Sequence, residues 1–368
     1  MPSDFFTGAS VLRRAAITIL LLLMMTLSCF FLYRAADSVG FRVSYYNYSP
    51  IVTHVVPFFE DASPNSDSEE YSLERILKEA SMKDNSVILT TLNDAWGAPN
   101  SVIDLFLESF RIGQDTRHLL NHLVIITFDR KAFSRCLVVH SHCFALITKG
   151  VDFSREAYFM RPNYLKMMWR RIDFLRSVLE MGYNFAFTDA DIMWFRDPFP
   201  HFQSDADFQI ACDHFSGNSD DLENKPNGGF KFVRSNNRSI EFYKFWYASR
   251  EKYPQLHDQD VLNRIKYDTF ILDIGLRIKF LDTAYFGGFC EPSRDLNQVC
   301  TMHANCCFGL DSKLHDLRIL IEDWKHYLSL PPSLKQTMST WRVPQNCSLD
   351  SLQLAAEPSV DVRQILDR

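Results

Sequence analysis

YNFAFTDADIMWFRD, residues 183–197, is the stretch from which the fold class follows. Asn184 to Phe187 are aromatic and apolar over a length too short for an amphipathic helix, so they are read as a strand. Asp189 and Asp191 then fall at the carboxyl end of that strand, where open α/β sheets bind their ligands. Two like charges beside a core strand are costly to bury unless a cation or several donors compensate them. A divalent metal does so, and hard oxygen ligands favour magnesium or manganese, either of which can bridge the phosphates of a nucleotide. The plainer alternative is that the two aspartates cap the following turn and merely end a strand. The apolar residues on both sides weigh toward the metal.

Working back toward the N-terminus, Pro162 to Met181 is a clear helix, with Leu165, Met168, Ile172, Leu175 and Leu179 at intervals of three and four. Gly182 ends it. Lys166 near its start can reach a phosphate, or simply be solvated. Earlier, Val87–Leu92 and Leu123–Phe128 are strands separated by a helix that ends near Gly113, with Ser101 and Asp104 as its capping pair. Cys143 to Ile147 is a short third strand, and Tyr71 to Met82 a lead-in helix. This alternation opens a doubly wound sheet, and right-handed crossovers put Thr90, Thr91, Asn93 and Asp129 near one rim, suited to a nucleotide's base and ribose. No Gly-x-Gly-x-x-Gly turn follows the first strand, which disfavours a dinucleotide-dependent dehydrogenase.

Working forward, Phe208 to Cys212 is a strand ending in Asp213, and a polar run from Ser216 to Pro226 is read as a loop that closes over a donor. Asn227, Gly228 and Gly229 lead into the strand Lys231 to Val233. The paired glycines fit either close approach of a substrate to the backbone or a hairpin turn. Ser239 to Ser249 is an aromatic-rich helix. In His257-Asp258-Gln259-Asp260, Asp258 caps the next helix, which leaves another acid or Gln259 free to face substrate. Ile271–Ile274 and Ile278–Leu281 are expected as strands, and Phe286 to Phe289 as an aromatic-glycine loop that is either a sugar-binding surface or packing between strands. His303 offers an imidazole to the cation of Asp191, or serves as a hydrogen-bonded core histidine. Leu314 to Trp324 is a helix, and the tail beyond Pro331 packs over the body through Trp341 and Cys347.

Residues 15–33 carry no charge and span roughly 28 Å as a helix, enough to cross a hydrocarbon core. Arg13 and Arg14 precede them, which favours a cytoplasmic amino terminus. The run is too long for a cleaved signal peptide and lacks a small-residue cleavage site, so an uncleaved anchor is expected. The expected divisions are a tail (1–14), the anchor (15–33), a stem with lead-in helix (34–83), one catalytic α/β domain (84–330) and a C-terminal extension (331–368). Asn47, Asn237 and Asn346 are acceptor sequons consistent with a lumenal domain. Of nine cysteines, Cys29 lies in the anchor and eight remain to pair in an oxidising compartment. Adjacent Cys306 and Cys307 are expected to take different partners. A formal net charge of −6 and the lack of a basic stripe exclude nucleic acid as partner.

An anchored lumenal α/β body with strand-end aspartates suits a sugar transferase with a nucleotide-activated donor. The metal neutralises charge on the leaving diphosphate, and Lys166 or Lys313 adds positive charge there. Groups around Asn227 to Gly229 and Asp258 to Asp260 orient the sugar and the attacking hydroxyl. An inactive carbohydrate-binding scaffold is the other class, and a metal-dependent phosphoesterase a third. The phosphoesterase needs further ligands or an evident nucleophile, and neither is visible.

The motifs YLKMMWRRIDFL, NFAFTDADIMWFRDP, NGGFKFVRS, HDQDVLN and MHANCCFGLDSK, in this order across about residues 84–325, resemble the plant nucleotide-diphospho-sugar transferase family that contains pectin xylosyltransferases and cell-wall arabinosyltransferases. The resemblance implies a single Rossmann-like GT-A domain with a mostly parallel sheet. It implies a type II anchor in the Golgi membrane, and a manganese- or magnesium-dependent, configuration-retaining transfer from a UDP-sugar to a cell-wall glycan or glycoprotein. The donor it implies is a pentose, UDP-xylose slightly ahead of UDP-arabinofuranose, with UDP-galactose still open. A homo- or hetero-oligomer in the Golgi is compatible with it. In this framework Asp189 and Asp191 match the DxD site, Asp191 as direct metal ligand and Asp189 dividing its contacts between ribose and metal. His303 is the third metal-side group. Gln259 and Asp260 face the sugar, with Asp258 as the cap. Front-face attack assisted by the donor phosphate is favoured over a covalent intermediate, since no dedicated nucleophile is apparent.

Overall fold

The structure, a computed structural model, describes residues 72–156, 159–338 and 340–347. The expected anchor over 15–33, the stem up to residue 71, Cys29, the Asn47 sequon and the tail beyond residue 347 lie outside the described residues. Among the described residues no helix is long and apolar enough to cross a membrane.

The first half alternates, with the strands and the helices over 73–80, 102–112 and 162–180 that the sequence predicts and, in addition, helices over 94–97 and 130–139 that it does not. Helix α1 (Leu73–Ala80) starts where the Ser72 hydroxyl accepts the Arg75 N–H at 3.3 Å. Strand β1 (Ser86–Leu92), helices α2 (Asp94–Gly97) and α3 (Val102–Ile112), strand β2 (Leu123–Thr127), helix α4 (Arg130–Val139) and strand β3 (Cys143–Ala145) follow. Helix α5 (Pro162–Glu180) opens on a proline, and Gly182, at φ 88°, turns the chain into β4 (Asn184–Thr188). The second half holds β5 (Ile192–Trp194), β6 (Phe208–His214), β7 (Lys225–Val233), α6 (Asn237–Ser249), α7 (Asp258–Ile265), α8 (Thr269–Asp273), β8 (Ile278–Phe280), β9 (Phe286–Gly288), β10 (Thr301–His303), α9 (Leu310–Ser329) and α10 (Pro332–Met338).

Seven strands form the central sheet in the order β3-β2-β1-β4-β7-β6-β8. Strands β2 and β4 flank β1 in parallel, β3 is parallel to β2 and β8 to β6, and only β7 runs antiparallel to its neighbours β4 and β6. The sheet is therefore mostly parallel, and both of its faces are covered. Along β1, Ile88 and Leu92 join one core with α3, α9 and the smaller sheet, whereas Val87 and Leu89 join a second core with α5, α6 and α7. Alternate side chains of a strand point to opposite faces, and two apolar layers explain why these strands are nearly continuous apolar runs. The smaller sheet, β5-β10-β9, continues directly from β4 and packs in the first core.

Several expectations are corrected. Residues 271–274 are not a strand: 271–273 belong to α8 and Ile274 caps it, with Asp268 accepting the Phe270 N–H at 3.0 Å and Gly275, at φ 65°, closing the turn. Asn227, Gly228 and Gly229 lie inside β7, which starts at Lys225, so the paired glycines make no hairpin turn. At α3, Ser101 stands at the cap but its hydroxyl donates to the Ala95 carbonyl. Asp104 reaches back to the Asn100 N–H at 2.7 Å rather than forming the reciprocal pair. Phe286 to Phe289 is no open sugar platform: β9 and Phe289 are buried, and a Cβ on Gly287 or Gly288 would meet Ser293 or Asn305 within 2.4 Å.

Disulfides join Cys136–Cys143, Cys290–Cys306 and Cys307–Cys347, so the adjacent pair does take different partners, and Cys212 and Cys300 remain free and buried. Trp341 stacks on Phe195 and donates to the Ser293 carbonyl at 2.8 Å, which holds residues 340–347 against the body.

Candidate functional site

The two aspartates occupy the turn by which the chain leaves one sheet for the other, between the end of β4 and the start of β5. Backbone bonds fix the turn from both sides. The Asp189 N–H donates to the Gly229 carbonyl of β7 at 2.7 Å, and the Asp191 carbonyl accepts from Ala304, just beyond β10, at 3.1 Å. Register then brings up the histidine: β10 runs antiparallel to β5 with His303 opposite Ile192, one residue from Asp191. One ligand atom each from Asp189, Asp191 and His303 lies within 4.8 Å of the others.

Helix α9 adds a fourth group. Lys313 places its ammonium 2.5 Å from Asp191 Oδ2 and 2.7 Å from the Ala304 carbonyl. Asp191 is only 2% exposed. Burial alone would raise its pKa, but Lys313 and then His303 outweigh it and hold the carboxyl well below the usual range. Asp189, whose side chain is 26% exposed, is pushed the other way by burial and by the charge of Asp191, against the pull of Arg171. The carboxylates thus differ in role, Asp191 firmly ionised and Asp189 more open.

The donor set fits a divalent cation. The Oδ1 atom of Asp191 is buried with no donor aligned on it, although His303 Nε2 stands 3.2 Å away. Two carboxylates and an imidazole are a mixed oxygen and nitrogen set that suits manganese or magnesium, the imidazole favouring manganese. Gly229 is required here: a Cβ would come within 2.5 Å of the His303 ring and 2.8 Å of Asp189 Oδ2. Of the two readings of the glycines, close approach is the one the geometry fits, and what approaches is the cluster itself.

Around the cluster a cleft of about 1070 Å³ opens. Its nearer wall includes Thr91, Asn93 and Trp96, and its opposite wall includes Gly228, Asp258, Gln259 and Asp260. Arg171 from α5 links the cluster to the second wall, with one guanidinium nitrogen 2.8 Å from Asp189 Oδ1 and another 2.8 Å from Asp258 Oδ2. Below the glycines lies a closed polar lattice. Gln259 accepts the Gly228 N–H at 2.8 Å and donates to Asp213 at 2.9 Å, while Asp213 also accepts from Asn227 at 2.7 Å and Asn305 at 2.8 Å. These bonds fix which end of the Gln259 amide points where.

Some expected positions lie elsewhere. Thr90 is fully buried on the opposite side of β1 from Thr91 and does not line the cleft. Asp129 is spent on local structure: it accepts the Ala132 N–H at 2.9 Å as the cap of α4 and the Asp94 N–H at 2.8 Å, away from the cleft. Lys166 sits on the exposed face of α5, outside the cleft lining, which is the solvated reading. Asp258 is not the cap of α7. His257 holds that position, and Asp258, 1% exposed, turns inward to Arg171. Asp260 pairs with His257 Nδ1 at 2.7 Å. The 216–224 loop is braced on itself, since Asn224 accepts the Ser216 N–H at 2.7 Å and donates to Asn218 and Asp221 carbonyls at 2.8 Å.

Arg171, Asp213 and Asn305 are the residues sequence reasoning missed. For Arg171 a signal existed. It lies three residues after Met168 and four before Leu175, so it occupies the apolar stripe of α5 with a charge that needs partners. Asp213 carries the strand-end position already used for Asp189 and Asp191, and Asn305 carries no comparable mark.

A sequence model of the nucleotide-diphospho-sugar transferase family matches residues 118–317. An uncharacterised Arabidopsis thaliana protein is 53% identical over 276 residues, 75% of this chain and 73% of that protein. The UDP-D-xylose:L-fucose alpha-1,3-D-xylosyltransferase 3 of the same plant is 26% identical over 142 residues, 34% of this chain and 37% of its own. The UDP-galactose:fucoside alpha-3-galactosyltransferase of Dictyostelium discoideum is 42% identical over 73 residues, 18% of this chain and 11% of its own. Among solved structures, galactosyltransferase LgtC with donor and acceptor sugar analogues covers 67% of this chain and 98% of its own at a TM-score of 0.40 and 11% identity, a likeness too slight to build on.

Proposed function

Because the chain belongs to the nucleotide-diphospho-sugar transferase family and is a glycosyltransferase of the nucleotide-sugar type, we propose that it performs metal-dependent, configuration-retaining transfer of a pentose from a UDP-sugar to a cell-wall glycan or glycoprotein. The observation that carries the metal-dependent part is the convergence of Asp189, Asp191 and His303 on one point of a large cleft. A divalent cation held by these three would neutralise the charge that develops on the leaving diphosphate. The pentose follows the xylosyltransferase named among the relatives.

The chain's own groups complete the reading. Lys313 has three donors and spends two of them on Asp191 and Ala304, so one is left for a phosphate oxygen. Thr91, Asn93 and Trp96 offer an edge for the base and ribose, with Asn93 held by its cap to Trp96 and its bonds to the Phe153 and Arg155 carbonyls. On the other wall, both ends of the Gln259 amide are engaged, and Asp258 is pinned by Arg171. Gln259 has no nucleophilic atom to spare, and the Arg171 guanidinium on Oδ2 makes the Asp258 carboxylate a poor nucleophile. This favours front-face attack, in which Asp258 and Gln259 act by orienting the sugar and the donor phosphate takes the acceptor's proton. Asp258 Oδ1, buried without a partner, is the oxygen that remains for a sugar hydroxyl.

The same proposal places the protein in the Golgi membrane, anchored by residues 15–33 with the catalytic domain lumenal. Three disulfides support an oxidising compartment. The test is to incubate the detergent-solubilised full chain with a panel of UDP-sugars, manganese and cell-wall oligosaccharides, and to identify the product linkage. Metal-dependent transfer with retention, abolished by chelation, is expected. Release of free sugar irrespective of acceptor would point to a hydrolase, and UDP binding without turnover to a scaffold.

A further inference from the structure

We propose that Lys225, Arg264 and Lys266 form an acceptor subsite for an anionic sugar, recognising the carboxylate of a uronic acid residue. The proposal rests on the transferase reading above and names the acceptor's chemistry.

The geometry comes from α7. Gln259, Asn263 and the C-cap Lys266 follow one another at spacings of four and three, as do Asp260, Arg264 and Tyr267 just beyond the helix, and all six line the cleft. Seven residues at 1.5 Å rise carry Lys266 roughly 10 Å beyond Gln259. That displacement leads away from the glycines where the donor sugar is placed. Lys225 enters the same arm from the start of β7, opposite His214 on β6.

Charge is what singles this arm out. Lys266 is only 3% exposed, and its ammonium donates to the Asn224 carbonyl at 2.7 Å and to Asn263 Oδ1 at 3.0 Å. Both acceptors are neutral. Among the described residues neither Lys225, Arg264 nor Lys266 forms an ion pair, and the cation of Arg264 has only the ring of Tyr253 at 5.3 Å. The acids on this wall are already engaged. Asp258 is held by Arg171, Asp260 by His257, and Glu223 stands 2.9 Å from the Tyr267 hydroxyl. Glu223 and Asp221 are close enough to act on the Lys266 charge but neither forms an ion pair with it, so a buried ammonium beside a second lysine is left without a direct carboxylate partner. Burial, and then the charge of Lys225, pushes the Lys266 pKa down to about 8 against the opposing charges of Glu223 and Asp221. A planar carboxylate arriving between them would receive charge-assisted hydrogen bonds. Tyr267, 50% exposed at the same mouth, adds an aromatic face against which a sugar ring can lie. The phosphates of the donor are not the anion in question, because Lys313 and the metal cluster serve them at the other end of the cleft.

The experiment is calorimetric titration of the full chain, in detergent and without donor, with a trimer of galacturonic acid and with its carboxyl-reduced neutral counterpart. The acidic trimer is expected to bind about tenfold tighter, with the preference shrinking as salt rises. Lys225→Gln and Arg264→Gln, both at exposed positions, should each cut that preference by about threefold. Equal affinity for the two trimers, or a preference unchanged in both variants, overturns the proposal. So does a charge preference found only with a UDP-uronate and not with the trimers, because the cations would then read the donor. Titration with UDP and manganese runs in parallel. Failure of UDP to bind while the trimers remain discriminated would overturn the transferase reading and leave the anion subsite standing.

Discussion

The two ends of the cleft are uncompensated in opposite senses. At the end formed by β4, β10 and α9, two carboxylates crowd together despite their ion pairs with Lys313 and Arg171: Asp191 has an oxygen with no aligned donor, and Asp189 is raised by burial and by the charge of Asp191. Along α7 the acids are paired and the cations are not. Arg171 joins the two ends by contacting one carboxylate at each. The difference teaches that one fold can hold partners of opposite sign within a single cleft, if each surplus is fixed by its own element and the surpluses are kept apart. A cation is called for at the strand ends and an anion beyond the helix.

The largest effect should come from removing the surplus at the strand ends. Asp191→Asn takes away the ionised oxygen pair and is expected to lower manganese-dependent transfer by about a thousandfold or more, with weakened manganese binding in calorimetry. A rate close to that of the parent would erase the contrast between the two ends. The strut comes next. Arg171→Met leaves Asp258 buried without its partner and should destabilise the fold by about 3–5 kcal/mol, read from guanidinium unfolding. Adding Asp258→Asn to that variant should restore much of the loss, because the orphaned charge is removed. If the single variant is as stable as the parent, Arg171 is not what holds the walls together.

The smallest effect sharpens the comparison by pH. Lys231 is fully buried between the walls, donates to the Gly228 carbonyl at 2.9 Å and lies 4.6 Å from the Phe187 ring. Burial, and then the charge of Arg171, lowers its pKa to about 7 from the usual 10.5. Between these values the unfolded chain keeps the proton that the folded chain has released, so stability from this site rises with pH by up to about 1.4 kcal/mol per unit. Below pH 7 the folded chain carries a charged buried ammonium and the full penalty. Lys231→Met should therefore gain stability relative to the parent as pH falls from about 9 to about 6. A difference between the two that does not vary with pH would show that Lys231 is charged throughout.

Local signals made much of the architecture legible. Apolar runs of strand length, the helical stripe of α5 and the glycine after it were enough for the alternating order and for the strand-end position of Asp189 and Asp191. Where two local signals compete the reading fails. The apolar run at 271–274 has strand composition, but Asp268 and Gly275 close it into a short helix. Asp129 reads as a strand-end group beside a nucleotide and Asp258 as a helix cap, yet the first is the cap and the second a buried ion pair. Only the direction in which each side chain turns separates them, and that is set by neighbours distant in the chain.

The amino-acid sequence by itself determined the alternation of strands and helices, the two aspartates at a strand end and the order of motifs that marks the family, because each depends on residues within one or two turns of one another. Tertiary structure alone decided that Lys313 meets Asp191 across 122 positions and Arg171 meets Asp258 across 87. It also decided that Thr91 faces the cleft while Thr90 does not, and that three lysine and arginine side chains share one unpaired arm. Those outcomes depend on strand register and on which helix face is buried. Both are fixed by the packing of two apolar cores against the sheet, and neither is carried by any single stretch of chain.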